Sequence, residues 1–273
     1  MTEQAERYDR IAEGYGRWWA PIIAPAAVTI LDEVADAIEA GATSVLDVGT
    51  GTGTLAIAIL RRWPRVRVTA IDGSGGMIAM ATAESDRSLT AAQRDRLELR
   101  VAFADDLGLG DGSIDVAVSS FVLQLVPNRF RALREAHRVL RPGGVFGWVS
   151  WLTHETIWAP DVDFDDALVE VGEEPRGWPD DHDDLRDAAA AAAQMRRAGF
   201  AAVRATAGEL VHPFDIDGYV GFMAEFDEED LVRGLEPDVR ARFDAALRRR
   251  LARHRPDQLA MRQLTVTVRG IRR

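Results

Sequence analysis

Five short apolar runs that alternate with helical patterns constrain the fold of this 273-residue chain more than any other feature. The runs occupy residues 44–48, 66–71, 97–103, 114–119 and 145–151, and helical patterns lie between them at 55–63, 75–84 and 128–140. Strands that alternate with helices of this length predict βαβ units and a parallel sheet covered on both faces. Ligands bind such sheets beyond the carboxyl ends of the strands, where the strand order reverses. A site is therefore expected at the end of the first strand.

The segments outside this alternation are mostly helical. Residues 3–19 form an amphipathic stretch, and residues 24–40 place apolar side chains on one helical face before Gly41, a stop signal. After residue 152 the pattern weakens into a loop-rich segment. It is followed by an alanine-rich helix at 187–198, a strand at 200–207, further helices between 215 and 255, and a strand at 263–268. That last strand alternates apolar and polar residues, as an edge strand does.

Residues 45–53, Val-Leu-Asp-Val-Gly-Thr-Gly-Thr-Gly, carry the first apolar strand through three spaced glycines into a helix. Gly51, Gly53 and Ala56 satisfy the G-x-G-x-x-G/A pattern of a dinucleotide-binding turn, although glycines also occur in turns for steric reasons alone. Asp72 ends the second strand at about the twenty-residue spacing at which a carboxylate binds ribose hydroxyls. Together the two features predict an adenosine site.

Asp47 indicates which adenosine ligand this site would bind. A carboxylate beside the glycine turn would repel a pyrophosphate at the helix N-terminus, where positive potential is needed. It suits instead a ligand without phosphate that carries cationic groups, such as S-adenosylmethionine with its sulfonium and ammonium. The chain also contains no lysine, so all 33 basic residues are arginine, and a Tyr/Lys proton relay of an oxidoreductase is excluded.

Composition excludes several other classes of protein. The net charge of −11 disfavours nucleic acid or an anionic membrane as a partner, because both repel an acidic surface. The absence of cysteine excludes disulfides, a cysteine nucleophile and cysteine-ligated metals, and no histidine pair has metal-ligand spacing, so no metal site is expected. No apolar run reaches the roughly 18 residues of a membrane span, and the N-terminus is polar. We expect a cytoplasmic protein.

Several motifs combine into a family resemblance over residues 5–151. They are the loop at 47–53, Asp72-Gly73-Ser74 with Met77, Asp-Gly-Ser-Ile-Asp-Val at 111–116, the segment 133–144 ending in Pro-Gly-Gly, and Tyr8-Asp9-Arg10-Ile11-Ala12 with Tyr15. The chain thereby resembles the class I S-adenosylmethionine-dependent methyltransferases, in the small-molecule group related to the ubiquinone and menaquinone methyltransferases. The resemblance implies an α/β, doubly wound, mostly parallel seven-stranded sheet, with N-terminal capping helices and a lid inserted after strand five.

The resemblance also implies a division of the chain and a set of cofactor contacts. Residues 1–41 would form the helical cap, 42–151 the Rossmann-like cofactor core, 152–199 an acidic substrate lid and helix, and 200–273 the strands and helices that complete the sheet and substrate pocket. The implied S-adenosylmethionine contacts are Tyr15, Asp47, Gly49, Thr50, Gly51, Asp72, Gly73, Ser74, Met77, Ala104, Asp105, Ser119, Ser120 and Phe121. Ala104 and Asp105 are chosen because Phe103 stands at the position where the family has an acidic residue.

Candidate catalytic and substrate-binding residues follow from position in this fold. His154 with Glu155 follows the fifth strand on the side where substrates enter, and is the candidate proton acceptor; a solvated loop pair is the alternative. A structural role is expected for His137 and a surface role for His254. Elements that close over the cofactor in relatives carry Trp18, Trp19, Trp151 and Trp158. Together with Tyr219, these residues predict an apolar or aromatic substrate pocket. Core packing is the alternative for about half of such aromatic residues.

We therefore expect methyl transfer from S-adenosylmethionine to an O, N or C nucleophile of a small, largely apolar or aromatic molecule, in secondary metabolism for example. A nicotinamide-dependent oxidoreductase and a non-catalytic S-adenosylmethionine-binding protein are the alternatives, and a homodimer is left open. Residues 161–187 hold 12 acidic residues and two arginines, so this segment carries −10 of the total charge of −11. Two explanations stay open: a solvated lid surface, or attraction of a cationic substrate.

Overall fold

The computed structural model describes residues 3–153, 158–176 and 185–273. In these ranges the strands are β1 (Ser44–Val48), β2 (Arg67–Asp72), β3 (Leu97–Val101), β4 (Ile114–Ser120), β5 (Leu140–Trp151), β6 (Phe200–Pro213) and β7 (Ala260–Arg272). They form one sheet in the order β3-β2-β1-β4-β5-β7-β6. Strands β1 to β5 are parallel, and β7 runs antiparallel to both of its neighbours. The expected seven-stranded, mostly parallel α/β fold is confirmed.

The helices that precede and cover the sheet include two π-helical turns, π1 and π2. The elements are α1 (Glu3–Gly14), π1 (Tyr15–Trp19), α2 (Ala20–Ala27), α3 (Ile30–Glu39), α4 (Thr54–Arg62), α5 (Gly75–Ser88), α6 (Ala91–Arg94), α7 (Arg129–Val139), α8 (Ala159–Val171), α9 (Ala188–Arg197), α10 (Ile216–Phe222), π2 (Met223–Asp227), α11 (Glu229–Gly234) and α12 (Pro237–Leu251). In the ranges that the structure describes, no helix is both long and apolar enough to cross a membrane.

The strand order reverses at β1, which lies between β2 and β4. The chain passes outward from β1 through β2 to β3, and then returns to the other side of β1 to form β4. The carboxyl ends of β1 and β4 therefore border the crevice in which a doubly wound sheet binds its ligand. The glycine loop leaves the sheet at this point, as the sequence predicts.

Both faces of the sheet are buried. Neighbouring residues of a strand point to opposite faces, and helices cover each face. On one face, Val45 joins a core with helices α3 and α4; on the other, Leu46 joins a core with α7 and α9. On β5, a side chain at Gly147 would crowd the Ile30 side chain of α3. Helix α3 therefore packs directly on the middle of the sheet.

Two sequence expectations about these elements are wrong. The strand at 263–268 is not at the edge, because β7 pairs with β5 on one side and β6 on the other. The alternation reflects a strand whose two faces differ in burial, which does not require an open edge. The helix expected over 24–40 is broken: α2 ends at Ala27, and the Thr29 hydroxyl donates to the Ala26 carbonyl, 2.7 Å away. Such local side-chain bonds compete with helix continuation and leave Val28 exposed.

Candidate active site

The glycine loop after β1 has a backbone that only glycines adopt easily. Gly49, Gly51 and Gly53 have φ values of +71°, +54° and +87°. A Cβ at Gly49 would overlap the side chain of Val122, which follows β4. The Thr50 amide donates to the Ile71 carbonyl at the end of β2, 2.8 Å away. The loop is thus fixed against β2 and β4, with its backbone open to the crevice.

Asp72 connects this loop to the start of α5. Its Oδ2 accepts a hydrogen bond from the Gly51 amide at 2.9 Å, and its Oδ1 accepts one from the Ser74 amide at 3.0 Å. Burial raises the pKa of the Asp72 carboxyl, and the hydrogen bonds from backbone amides oppose that rise. The spacing of glycine loop and carboxylate in the sequence therefore corresponds to a direct contact.

Asp47 lies beneath the loop and is 1% exposed. Its Oδ2 accepts hydrogen bonds from the Thr50 hydroxyl at 2.7 Å and the Ala56 amide at 3.2 Å. Its other oxygen, Oδ1, is buried and has no hydrogen-bond partner among the described residues. Burial raises the pKa of Asp47 to about 7, more than these two hydrogen bonds lower it. The expected contact between Asp47 and a ligand ammonium stays a prediction, because Asp47 does not line the pocket described next.

A pocket with about 1080 Å³ of empty space, open mouth included, lies over the glycine loop. Twelve of the fourteen predicted cofactor contacts line it: Tyr15, Gly49, Thr50, Gly51, Asp72, Gly73, Ser74, Met77, Ala104, Asp105, Ser120 and Phe121. Besides Asp47, the other exception is Ser119, which is 1% exposed and whose hydroxyl donates to the Val48 carbonyl at 2.8 Å. Ser119 therefore ties β4 to β1 instead of facing the pocket.

Several pocket residues have no motif that would identify them from sequence. Phe103 is one, and its ring lies against the Gly73 backbone, where an added Cβ would be 3.1 Å from the ring. It stands at the family's acidic position, so an aromatic ring takes the place of a carboxylate there. Ile23, Ala24 and Ala27 of α2 also line the pocket, as does Leu125 after β4. Their apolar character alone could not separate them from core residues.

The N-terminal cap is attached to the core beside this pocket. The Asp9 Oδ1 accepts hydrogen bonds from the Ser74 hydroxyl at 2.5 Å and from the Gly76 amide at 2.8 Å. These two bonds hold the pKa of Asp9 below its usual value. The cap contributes Tyr8 and Tyr15 to the pocket, with ring centroids 5.8 Å apart. Burial raises the pKa of Tyr8 to about 12 and that of Tyr15 further, so both phenols are neutral at pH 7.

The chemistry of this pocket fits S-adenosylmethionine. Among the described residues, neither an arginine nor a histidine side chain lines the pocket, and the chain has no lysine. A phosphate-bearing ligand would therefore find no cationic side chain. The carboxylates Asp72 and Asp105 are present instead, and most of the other side chains that line the pocket are apolar. The residues suit an adenosine ligand that carries positive charge and no phosphate.

The five aromatic residues predicted to bind substrate do not line this pocket. Trp19 and Trp151 belong to a cluster behind it, where Trp151 stacks on the pocket residue Phe121 with ring centroids 4.0 Å apart. Phe121 has a φ of +54°, a strained conformation of the kind found at functional sites. Trp18, Trp158 and Tyr219 lie farther out among the helices that follow β6, where the Trp18 indole donates to Glu225 at 2.7 Å and Trp158 packs edge-on against Tyr219. A direct role in substrate binding stays a prediction for all five.

The candidate proton acceptors His154 and Glu155 lie outside the described residues, so their role also stays a prediction. The ionisable side chains that line the pocket in the described ranges are Tyr8, Tyr15, Asp72 and Asp105. His137 packs edge-on against Phe200 and close to Gly199, which supports the expected structural role. No group of three or more potential metal ligands was found in the described part of the chain.

The acidic segment 161–187 is partly neutralised by arginines. The arginines of helix α12 pair with α8: Arg249 contacts Glu170 at 2.5 Å, and Arg250 contacts Asp166 at 2.9 Å. Within the segment, the half-buried Arg176 contacts Asp165 at 2.8 Å. These carboxylates hold helices together, which leaves less unpaired charge in the described part of the segment for attraction of a cationic substrate.

Comparisons with known proteins agree with this geometry. A methyltransferase-domain family model matches residues 46–147. The ubiquinone/menaquinone biosynthesis C-methyltransferase of Geotalea daltonii is 38% identical over 101 residues, which are 37% of this chain and 42% of that protein. The malonyl-(acyl-carrier protein) O-methyltransferase of Geobacter sulfurreducens is 38% identical over 104 residues, 38% of this chain and 37% of that protein. The chain thus spans about two fifths of the length of these curated relatives.

The solved structure of Haemonchus contortus phosphoethanolamine N-methyltransferase 2, in complex with phosphomonomethylethanolamine and S-adenosylhomocysteine, extends the match. The alignment covers 100% of this chain and 60% of that protein's chain, with a TM-score of 0.56 and 14% identity. This likeness shows the fold. The family model and the curated relatives confirm the expected methyltransferase resemblance over this part of the chain. Residues 46–147 therefore form a methyltransferase domain.

Proposed function

We propose that this protein transfers the methyl group of S-adenosylmethionine to a small, largely apolar molecule. The observation that carries the proposal is the pocket itself, which joins the glycine loop and Asp72 to a second, apolar half. The first half offers backbone and carboxylate contacts for an adenosine ligand. The second half, formed by Ile23, Ala24, Phe121 and Leu125 among others, offers contact to an apolar acceptor.

Such a reaction requires little acid–base catalysis by the protein. When bound, S-adenosylmethionine supplies an electrophilic methyl group. The residues of this chain would hold donor and acceptor in line and exclude water, which alone accounts for large rate accelerations. Asp72 would hold the ribose, and the apolar lining would keep the acceptor beside the donor. A proton acceptor is needed only where the acceptor atom carries a proton.

The acceptor atom is left open by the relatives. Their names include a C-methyltransferase, an O-methyltransferase and, at the level of fold alone, an N-methyltransferase. The neutral phenols of Tyr8 and Tyr15 and the apolar lining favour an uncharged acceptor over a strongly cationic one. A small molecule, in preference to a nucleic acid, is supported by the absence of arginine and histidine from the described lining.

Calorimetry with S-adenosylhomocysteine tests the cofactor directly. We expect micromolar binding to the wild-type protein and none of NADH; the opposite result would establish a nicotinamide enzyme. Asp72→Asn should weaken binding by about 1.5–3 kcal/mol, the scale of a hydrogen bond to a charged group. Unchanged affinity would refute the role of Asp72. Asp115→Asn is the matched control, because Asp115 lies at the opposite end of the strands and binds the Ser44 amide.

Turnover of labelled S-adenosylmethionine with a panel of apolar phenols, amines and activated carbon acids tests transfer itself. Product formation with an uncharged aromatic acceptor is the expected outcome. Binding of S-adenosylhomocysteine without turnover across the panel would favour a non-catalytic binding protein. His154→Ala, measured on the best acceptor, would show whether the predicted proton acceptor contributes, since loss of rate without loss of cofactor affinity is expected.

A further inference from the structure

Phe226 of π2 links the cap to the wall of the pocket, far along the chain from any cofactor motif. Its ring is 7% exposed and lies edge-on to Tyr15, with centroids 5.9 Å apart. It also stacks on Trp19 at 5.7 Å with an interplanar angle of 18°. Tyr15 and Trp19 are the first and last residues of π1. Phe226 therefore contacts both ends of that turn.

The aromatic contacts continue from Trp19 to a second pocket residue, Phe121. Trp19 contacts Trp151 at 6.0 Å, and Trp151 stacks on Phe121 at 4.0 Å. Phe121 and Tyr15 both line the pocket. Successive contacts of five rings thus connect these two pocket residues, and Phe226 is the member that lies between Tyr15 and Trp19.

Three contacts of Glu225, the neighbour of Phe226, hold π2 against the cap. Its carboxylate accepts hydrogen bonds from Arg17 at 2.8 Å and from the Trp18 indole at 2.7 Å. Its backbone carbonyl lies so close to Gly14 that a Cβ there would overlap the oxygen. The packed turns π1 and π2 are both π-helical, a conformation found often at functional sites. The contact between them requires glycine at position 14.

We propose that Phe226 is a positioning residue: it holds the Tyr15 ring against the glycine loop and thereby sets how tightly the methyl donor is bound. The inference rests on the proposed function and extends it to the helical insertion between β6 and β7. Tyr15 reaches the loop itself, because a Cβ on Gly51 would lie 3.5 Å from its hydroxyl. Without the Phe226 ring, Tyr15 keeps its contact with Tyr8 but loses its edge-on contact with π2.

Phe243 supplies a matched control in the same insertion. It is 3% exposed, as deeply buried as Phe226, and packs edge-on against Phe164 with centroids 5.0 Å apart. No aromatic contact joins it to Tyr15 or Trp19 in the described structure. Phe226→Leu and Phe243→Leu should therefore lower thermal stability to similar extents. Only the first should change donor binding if Phe226 acts through Tyr15.

The test is calorimetric titration of S-adenosylhomocysteine into the wild type and the two leucine variants. We expect about tenfold weaker binding for Phe226→Leu, less than a twofold change for Phe243→Leu, and near wild-type affinity for the conservative Phe226→Tyr. In turnover assays, the KM for S-adenosylmethionine should rise for Phe226→Leu while kcat changes less than threefold. Equal losses of affinity in both leucine variants would overturn the proposal, because they would indicate general destabilisation.

Gly14→Ala is an independent variant that leaves every aromatic ring in place. In an isolated helix this change is stabilising. Here the methyl group would displace the Glu225 carbonyl and move π2 from the cap, so weaker S-adenosylhomocysteine binding is expected. Wild-type affinity in Gly14→Ala together with wild-type affinity in Phe226→Leu would overturn the positioning role alone. Absence of binding by the wild type would instead refute the proposed function.

Discussion

Replacing Asp47 by asparagine tests whether the carboxylate beneath the glycine loop ionises at a cost to folding. The side chain is 1% exposed, and its Oδ2 accepts from Thr50 and Ala56. Burial nevertheless raises its pKa to about 7, and the nearby Asp72 adds to the rise. Asparagine keeps an oxygen that can accept both hydrogen bonds but cannot ionise. The variant therefore tests the effect of the side chain's charge on stability while its shape is kept.

The sign of the effect follows from proton linkage. An aspartate in an unfolded chain ionises near pH 3.9, so between about pH 4 and pH 7 the folded protein binds this proton more tightly than the unfolded chain. Stability from Asp47 is therefore present at low pH and lost as pH rises to about 7. With about 1.36 kcal/mol for each pKa unit, the wild type loses about 2–3 kcal/mol between pH 5 and pH 8.

The asparagine variant has no such loss. Its amide nitrogen occupies the place of the unpaired Oδ1, which costs about 1–3 kcal/mol at every pH. The free energy of unfolding of Asp47→Asn relative to wild type should therefore rise by about 2–3 kcal/mol from pH 5 to pH 8.

Urea unfolding of the ligand-free proteins at pH 5, 6, 7 and 8 measures this difference. Asp115→Asn is the control: backbone amides of Thr43 and Ser44 and the guanidinium of Arg141 outweigh burial and hold the Asp115 pKa below its usual value. That carboxylate is ionised across the range, so its difference from wild type should stay constant. An Asp47→Asn difference that is equally flat, within about 0.5 kcal/mol, would refute the raised pKa and the reasoning from burial.

Three further predictions concern the glycine loop, the ion pairs of Arg176 and the pH dependence of ligand binding. Gly49→Ala should lower the free energy of unfolding by about 3 kcal/mol or more and abolish S-adenosylhomocysteine binding, because of its φ of +71° and the overlap with Val122; Val122→Ala should restore part of the loss in a urea titration. Arg176→Gln should cost about 3–5 kcal/mol at pH 7, since it leaves Asp161 without its cation, and less near pH 5, because burial raises the pKa of Asp161 to about 6 and that carboxyl is then mostly protonated. S-adenosylhomocysteine affinity of the wild type should rise from pH 6 to pH 8, because the ammonium of this ligand favours ionised Asp47 beneath the loop, and calorimetry on Asp47→Asn should show a flatter profile.

The parts of the site that sequence predicts are those in which chemistry depends on neighbours along the chain. Positions 49, 51 and 53 require a positive φ and therefore glycine, and Asp72 ends the next strand. Both features are thus visible in the sequence at a fixed spacing. Parallel pairing of β1 and β2 then brings them together, because βαβ units place the carboxyl ends of strands at one edge. Local rules were therefore enough to find the donor half of the pocket.

The apolar residues that line the rest of the pocket come together through packing between distant segments, and such packing has no local sequence pattern. Ile23 and Ala27 read as core residues of a helix, although both line the pocket. Phe226 is one apolar residue in a helical pattern, and its contact with Tyr15 joins positions 211 residues apart. Of the predicted tryptophans, Trp19 and Trp151 contact the pocket through Phe121, and a direct role in substrate binding stays a prediction. A sequence pattern shows which side chains are apolar, whereas the order of layers depends on how the insertion between β6 and β7 folds back on the cap.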